Sequence, residues 1–130
     1  MPGTITIEHY ELGNIRKIVA TCTADAAAAT FPDTVLPKFE GRLLDLATNP
    51  GATAPTANYD VTVLDQHGRD VLESVGLNRH TTNTEKAPIV YSGTGLHPTV
   101  DESDTLTLNI DNNAVNSAIT VIEIYYALGG

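Results

Sequence analysis

Alternation of apolar and polar residues is the main pattern along this chain, and it predicts β-strands. In residues 59–64, three apolar side chains (Tyr59, Val61 and Val63) fall on one face and more polar ones on the other. A period of two is the geometry of a strand with unequal faces. Asp-Gln-His-Gly at 65–68 is typical of a turn, and apolar residues resume at 71–72. The pattern therefore predicts a β-hairpin over 59–72.

The two ends of the chain show the same periodicity. Residues 4–10 alternate Thr with Ile, and residues 15–23 are mostly β-branched, so the pair predicts an N-terminal hairpin around Gly13 and Asn14. Residues 119–127 are apolar on both faces. Such a strand is expected either at the centre of a sheet or against a neighbouring subunit.

Three stretches are less regular. Residues 38–48 fit a helix about as well as a strand, but Gly41 and the Asn-Pro-Gly at 49–51 favour a strand. The alanines of 25–29 could form one helical turn before Pro32. The polar run 76–86 predicts a long exposed loop, which is followed by a short strand at 89–91 and a turn at 92–95.

The spacing of strands and turns predicts an all-β fold without a confident helix. We expect a single antiparallel β-sandwich or jelly-roll-like domain of about eight strands over residues 1–130. Within it, residues 1–35 are expected to form either a hairpin of the domain or an arm that reaches a neighbouring subunit.

The net charge of the chain limits the kinds of molecule that it is expected to bind. The chain has 130 residues and a net charge of −9. Binding to nucleic acid or to an anionic membrane needs concentrated positive charge, so neither partner is expected. The start of the chain lacks the pattern of a secretion signal, and no apolar stretch approaches the length of a membrane span. We therefore expect a soluble protein made in a cytoplasm, with a neutral or positively charged protein surface as its partner.

No motif for catalysis, a metal or a cofactor emerges from the sequence. The four histidines are scattered without close pairing, and Cys22 is expected to be a buried thiol in a strand. Asp65 and Asp70 flank a glycine turn and are expected to cap it. The acidic run 101–104 is expected to be a solvated edge, with cation binding as the alternative. The prediction is a non-enzymatic protein without cofactors.

One loop does carry groups suited to recognition. Asn78, Arg79 and His80 lie in the polar run, and Arg and His on an acidic protein can anchor a carboxylate or a partner surface. We take these three residues as the candidate partner-binding loop. The alternative is an arginine whose hydrogen bonds are satisfied within the loop.

Residues 49–72, NPGATAPTANYDVTVLDQHGRDVL, resemble a segment of small virion structural proteins of tailed bacteriophages. In those proteins a DPGA-x-APT-x-NYD-type stretch precedes a D-x-x-G-x-DVL hairpin. The likeness extends over residues 39–126 and ends in the TLTLNIDNN…TVIEIYY hairpin. Asn49 stands where an Asp is more usual, and the first 35 residues do not share the likeness.

The resemblance implies a capsid decoration (cement) protein on the outside of a phage head. Such proteins commonly sit as trimers that clamp neighbouring subunits of the major capsid protein. The expected partners are therefore further copies of this chain and the major capsid protein, and the expected location is the virion surface. Two alternatives remain: a neck, tail or head-fibre component, and a glycan-binding module for host attachment that uses exposed tyrosines (Tyr10, Tyr59 or Tyr91).

Overall fold

The computed structural model describes residues 3–91 and 94–128, which form nine strands. The strands are β1 (Thr4–Tyr10), β2 (Ile15–Thr23), β3 (Thr34–Val35), β4 (Gly41–Pro50), β5 (Asp60–Leu64), β6 (Glu85–Pro88), β7 (Thr99–Val100), β8 (Thr107–Asp111) and β9 (Ile119–Ala127). Part of the turn predicted at 92–95, Ser92 and Gly93, lies outside the described residues.

The strands build two antiparallel sheets. The larger sheet has the order β1-β2-β9-β4-β6, with β7 also paired to β4, and the smaller sheet has the order β3-β8-β5. Every strand pair is antiparallel. The predicted all-β antiparallel sandwich is confirmed, with nine strands in place of about eight. A jelly-roll arrangement stays a prediction.

Strand β9 lies at the centre of the larger sheet, as its two apolar faces predict. Its residue Ile124 is paired with Ile18 of β2 on one side and with Leu46 of β4 on the other. All three side chains are buried. The alternate residues of β9, among them Tyr125, are only partly buried because they lie on the outer face of the sheet.

The core fills the space between the sheets. Side chains of the larger sheet such as Ile18 and Ile122 and side chains of the smaller sheet such as Val61 and Leu108 belong to one apolar cluster. Packing of this kind, with two inner faces in contact, is what stabilises a sandwich. The core therefore holds both sheets in a fixed relation.

The hairpin predicted over 59–72 is wrong in its second half. Strand β5 pairs with β8, and the returning chain touches β5 through an isolated bridge between Leu64 and Asp70 before it enters successive turns. The Asp70 side chain organises this segment. Its Oδ1 accepts hydrogen bonds from the backbone N–H groups of Val63 (3.1 Å) and Leu72 (3.0 Å), and its Oδ2 accepts one from Ser74 (3.1 Å). The bond to Val63 keeps the returning chain beside β5, and the bonds to Leu72 and Ser74 favour turns over a second strand.

Three other segments correct or complete the sequence prediction. The ambiguous stretch 38–48 contributes to a strand, β4, as favoured above. The strand expected at 89–91 lies earlier instead, as β6, so that the run 76–86 is only partly a loop. Residues 25–29 form a turn without a helix, and Oδ1 of Asp25 accepts hydrogen bonds from the N–H groups of Ala27 and Ala28.

Candidate functional site

The predicted partner-binding loop places its arginine inside the protein. Arg79 is only 5% exposed. Its Nε donates to Oγ1 of Thr48 (3.0 Å), and its two terminal nitrogens donate to the carbonyl oxygens of Val75 (2.7 Å) and Glu85 (3.1 Å). The carboxylate of Glu85 lies 3.6 Å from Nε. The guanidinium therefore joins three segments of the fold, and its donors face inward.

The neighbours of Arg79 remain at the surface. Asn78 is exposed with φ of 55°, and its N–H donates to Oδ1 of Asp60 at 2.9 Å. His80 is exposed, and its Nδ1 accepts hydrogen bonds from the N–H groups of Thr82 (3.0 Å) and Asn83 (2.9 Å). A partner surface at this loop would therefore meet Asn78 and His80, with Arg79 as the buried support behind them.

A buried polar cluster lies beside Arg79. The hydroxyl of Tyr59 and Oγ1 of Thr120 are 2.8 Å apart, and both residues are fully buried. Burial is the first cause that raises the pKa of Tyr59, so the phenol stays protonated. Tyr59 was one of the three tyrosines considered for stacking on a sugar, and that role is wrong because its ring is inaccessible.

The exposed Tyr10 and the partly buried Tyr125 lie on the outer face of the larger sheet. Tyr10, Lys17, Tyr125 and Asp45 occupy successive positions of one cross-strand row, because each is paired with the next. Nζ of Lys17 lies 5.2 Å from the ring centre of Tyr10 and 5.7 Å from that of Tyr125. Nζ of Lys86 lies 4.3 Å from the Tyr125 ring centre. These are cation–π contacts.

Carboxylates hold the phenols of this row in place. The Tyr125 hydroxyl donates to Oε1 of Glu123 at 2.6 Å, which together with burial raises the pKa of Tyr125 to about 12. The Tyr10 hydroxyl donates to Oε2 of Glu8 at 3.2 Å, and Glu8 raises the pKa of Tyr10. The lysines occupy ring surface that a sugar would need for stacking. The sequence did not predict this row, because its residues become neighbours only when four strands pair in the observed register.

An open cleft lies next to this row, at the turn of the β1–β2 hairpin. It has a volume of about 590 Å³. Its lining includes Leu12, which is 92% exposed, together with Ile15 and the cations Arg16 and Lys17. Glu11 also lines the cleft and lies 3.8 Å from Arg16, so the lining combines apolar side chains with charges of both signs.

The other residues considered for chemistry in the sequence are held in contacts that support the fold. Cys22 is fully buried, and burial raises the pKa of its thiol to about 12, which keeps it unreactive. Oδ1 of Asp65 accepts hydrogen bonds from the N–H groups of His67 and Arg69, as predicted for a turn cap. Within residues 3–91 and 94–128 no group of three or more His, Cys, Asp or Glu side chains is placed to hold a metal ion.

The acidic run 101–104 also folds on itself. The Asp101 carboxylate accepts hydrogen bonds from the N–H (2.9 Å) and the hydroxyl (3.2 Å) of Ser103, and the Asp104 carboxylate accepts one from the N–H of Asp101 (2.9 Å). Lys38 donates to the carbonyl oxygen of Asp104 at 3.0 Å. These bonds fit the predicted solvated edge.

No family model matches this chain, and comparisons with curated proteins and with solved structures give no significant match. In the part of the chain that the structure describes, no helix has the length and apolar character to cross a membrane.

Proposed function

We propose that this chain is a non-enzymatic structural protein of a tailed-phage virion, a homo-oligomeric decoration protein that binds the outer surface of the capsid. The observation that carries the proposal is the role of the run 49–72, on which the resemblance to phage virion proteins rests. Its polar residues brace the fold: Asp60 binds the backbone of Asn78, and Asp65 and Asp70 bind the backbone of their own turns.

The apolar residues of the same run belong to the core. Tyr59, Val61 and Val63 are buried between the sheets, and Leu72 is buried next to them. A motif whose buried and hydrogen-bonded side chains support the fold is expected in proteins that act through the surfaces they present. It is less expected in an enzyme, where recurring polar residues converge on a pocket.

The mechanism follows from this scaffold. Many copies would each make modest contacts to the major capsid protein, and repetition over a symmetric lattice would give the avidity that stabilises the shell. The expected unit is a trimer, placed where neighbouring capsid subunits meet. The acidic surface suits a protein partner of neutral or positive charge.

Two measurements test the proposal. Native mass spectrometry of the purified protein is expected to give a homo-oligomer built from trimers. Purified protein added to undecorated capsids of the phage that encodes it is expected to co-sediment with them and to raise their resistance to heat. A monomer that never binds capsids would overturn the proposal.

Copy number separates decoration from the neck, tail or head-fibre alternative. Quantitative mass spectrometry of virions is expected to find this chain in numbers comparable to the major capsid protein. A few copies per particle would instead assign it to the neck or tail.

A further inference from the structure

The edge strands of the two sheets differ in how well they are protected against pairing with a further strand. In the described part of the chain, β3 and β7 are only two residues long, and β6 has four residues that include Lys86 and Pro88. The outer edge of β5 is covered by the returning chain: the N–H of Val61 donates to the carbonyl of Gly76 (2.7 Å), and the N–H of Val71 donates to that of Val63 (2.8 Å). Short, proline-bearing and covered strands are the usual ways to block strand addition.

Strand β1 has none of these protections. It is seven residues long and pairs with β2 over its whole length without a register shift. Its other side has no strand neighbour among residues 3–91 and 94–128. It contains no proline and no lysine, and its one carboxylate is Glu8. A regular, open edge of this length is a template for another strand.

The side chains of β1 also leave apolar surface at this edge. Ile5 and Ile7 point to the inner face of the larger sheet, opposite Cys22 and Ala20 of β2. Both isoleucines pack against the core but remain only partly buried. A further strand with apolar residues at matching positions would cover them.

A second copy of β1 provides such a strand. Two antiparallel copies of β1 related by a two-fold axis normal to the sheet form one continuous sheet, in which the inner faces of both copies lie on the same side. Each inner-face residue must therefore lie opposite an inner-face residue of the other copy, which limits the possible registers. Centring the pair on Ile7 places Ile7 opposite its own copy and Ile5 opposite His9 of the partner subunit. On the outer face, Thr6 then lies opposite Glu8 of the partner subunit.

Charge and the length of the overlap favour the register centred on Ile7 over the registers centred on Glu8 or Thr6. A pair centred on Glu8 would place two carboxylates directly opposite each other, which is destabilising. A pair centred on Thr6 would shorten the overlap and leave the ends of both strands unpaired. With Ile7 at the centre, all seven residues pair and no like charges are opposed.

The geometry points to β1 as a two-fold interface, at which two copies of this chain join their larger sheets edge to edge. The interface is independent of the proposed virion role. Combined with a three-fold contact elsewhere on the chain, it would give a particle of six subunits. Seven residues per partner is fewer than the roughly 20–30 of a standard interface, so the pairing is expected to be a concentration-dependent equilibrium.

Cysteine trapping tests the register. In a Cys22→Ala background, Ile7→Cys is expected to form a disulfide-linked dimer on mild oxidation, because directly opposed side chains on paired strands lie within reach of a disulfide. Thr6→Cys is the matched control, since position 6 would face position 8 of the partner and not itself. Equal cross-linking of both variants, or none in either, overturns the proposal.

Charge variants test the interface without altering a buried residue. Thr6 is exposed, so Thr6→Lys and Thr6→Glu are both expected to fold. Thr6→Lys would oppose Glu8 of the partner twice per dimer and tighten association roughly three- to tenfold, and Thr6→Glu would weaken it by a similar factor. Sedimentation velocity over a concentration series measures both.

The control for net charge is the same pair of substitutions at Thr21. This residue is exposed and lies opposite Thr6 on β2, one strand away from the edge. Thr21→Lys and Thr21→Glu are expected to move the dissociation constant by less than the Thr6 variants. If the two positions respond alike, or if Thr6→Lys does not tighten association, the β1 interface is wrong.

Discussion

Arg79 and Thr48 are hydrogen bonded in the interior of the sandwich, with Nε of Arg79 3.0 Å from Oγ1 of Thr48. Both residues are buried, at 5% and 0% exposure. A buried guanidinium is costly unless its donors are paired, and here two backbone carbonyls and the Glu85 carboxylate complete its surroundings. The pair ties β4 of the larger sheet to the chain that follows β5.

Replacing Arg79 with Lys is expected to lower the free energy of unfolding by about 2–4 kcal/mol, because an ammonium cannot reproduce the planar set of donors. Urea denaturation measures the change. Arg42→Lys is the control, since Arg42 is exposed, and its effect is expected to stay within about 0.5 kcal/mol. Equal effects at the two positions would contradict a clamping role for Arg79.

Tyr59→Phe is expected to destabilise the protein by about 1 kcal/mol, because it removes the hydroxyl that bonds Thr120 in the core. The matched substitution Tyr10→Phe removes a hydroxyl from an exposed residue, 49% accessible, and is expected to change little. Thermal or urea unfolding compares the two. A larger loss at Tyr10 would show that the buried bond has been misassigned.

Gly76→Ala is expected to cost about 3 kcal/mol or more, at or above the upper end of overpacking effects. A Cβ at this position would overlap the backbone carbonyl of Val61, to whose N–H the Gly76 carbonyl is bonded. Gly68→Ala is the control, because Gly68 has φ of +82° with open space around it. Gly68→Ala is expected to lower the free energy of unfolding by about 1–2 kcal/mol, because alanine is less stable than glycine in this left-handed backbone conformation.

The Tyr125–Glu123 hydrogen bond predicts a specific alkaline titration. The folded protein holds the pKa of Tyr125 at about 12, and an unfolded tyrosine titrates near 10. The unfolded chain therefore loses this proton first, so the contribution of Tyr125 to stability is complete below about pH 10 and is lost as the pH rises to about 12.

Glu123→Gln is expected to lower the pKa of Tyr125 towards its ordinary value, since the negatively charged acceptor is gone. Ultraviolet titration of the phenolates, with Tyr125→Phe to assign the signal among the five tyrosines, measures the shift. An unchanged titration in Glu123→Gln would mean that the carboxylate does not hold this phenol.

Local pattern was enough to predict three of the six strands of the larger sheet at their observed bounds. Strands β1, β2 and β9 begin and end at the predicted residues, because period-two alternation and flanking turn residues are properties of the chain itself. The two apolar faces of β9 favoured either the centre of a sheet or a contact with a neighbouring subunit, and the structure places β9 at the centre. The turn-capping role of Asp65 needed only its neighbours in sequence.

Pairing and burial were decided by tertiary structure. The pattern could not show that β5 would pair with β8, because the two strands are more than 40 residues apart in the chain. Nor could it show that Asp70 would bind the N–H groups of Leu72 and Ser74 and hold the returning chain in turns. Nor could a polar loop reveal that Arg79 turns inward, since one of the oxygens it binds belongs to Thr48, which is 31 residues away in the chain.

The sequence by itself thus determined the bounds of β1, β2 and β9 and the apolar face of β5, because both depend on alternation between neighbours. Only the tertiary structure decided which strands lie side by side, which polar groups are buried, and that β1 has one strand neighbour among residues 3–91 and 94–128. These depend on hydrogen bonds and packing between residues far apart in the chain, where many pairings satisfy the same local pattern and the folded core selects one.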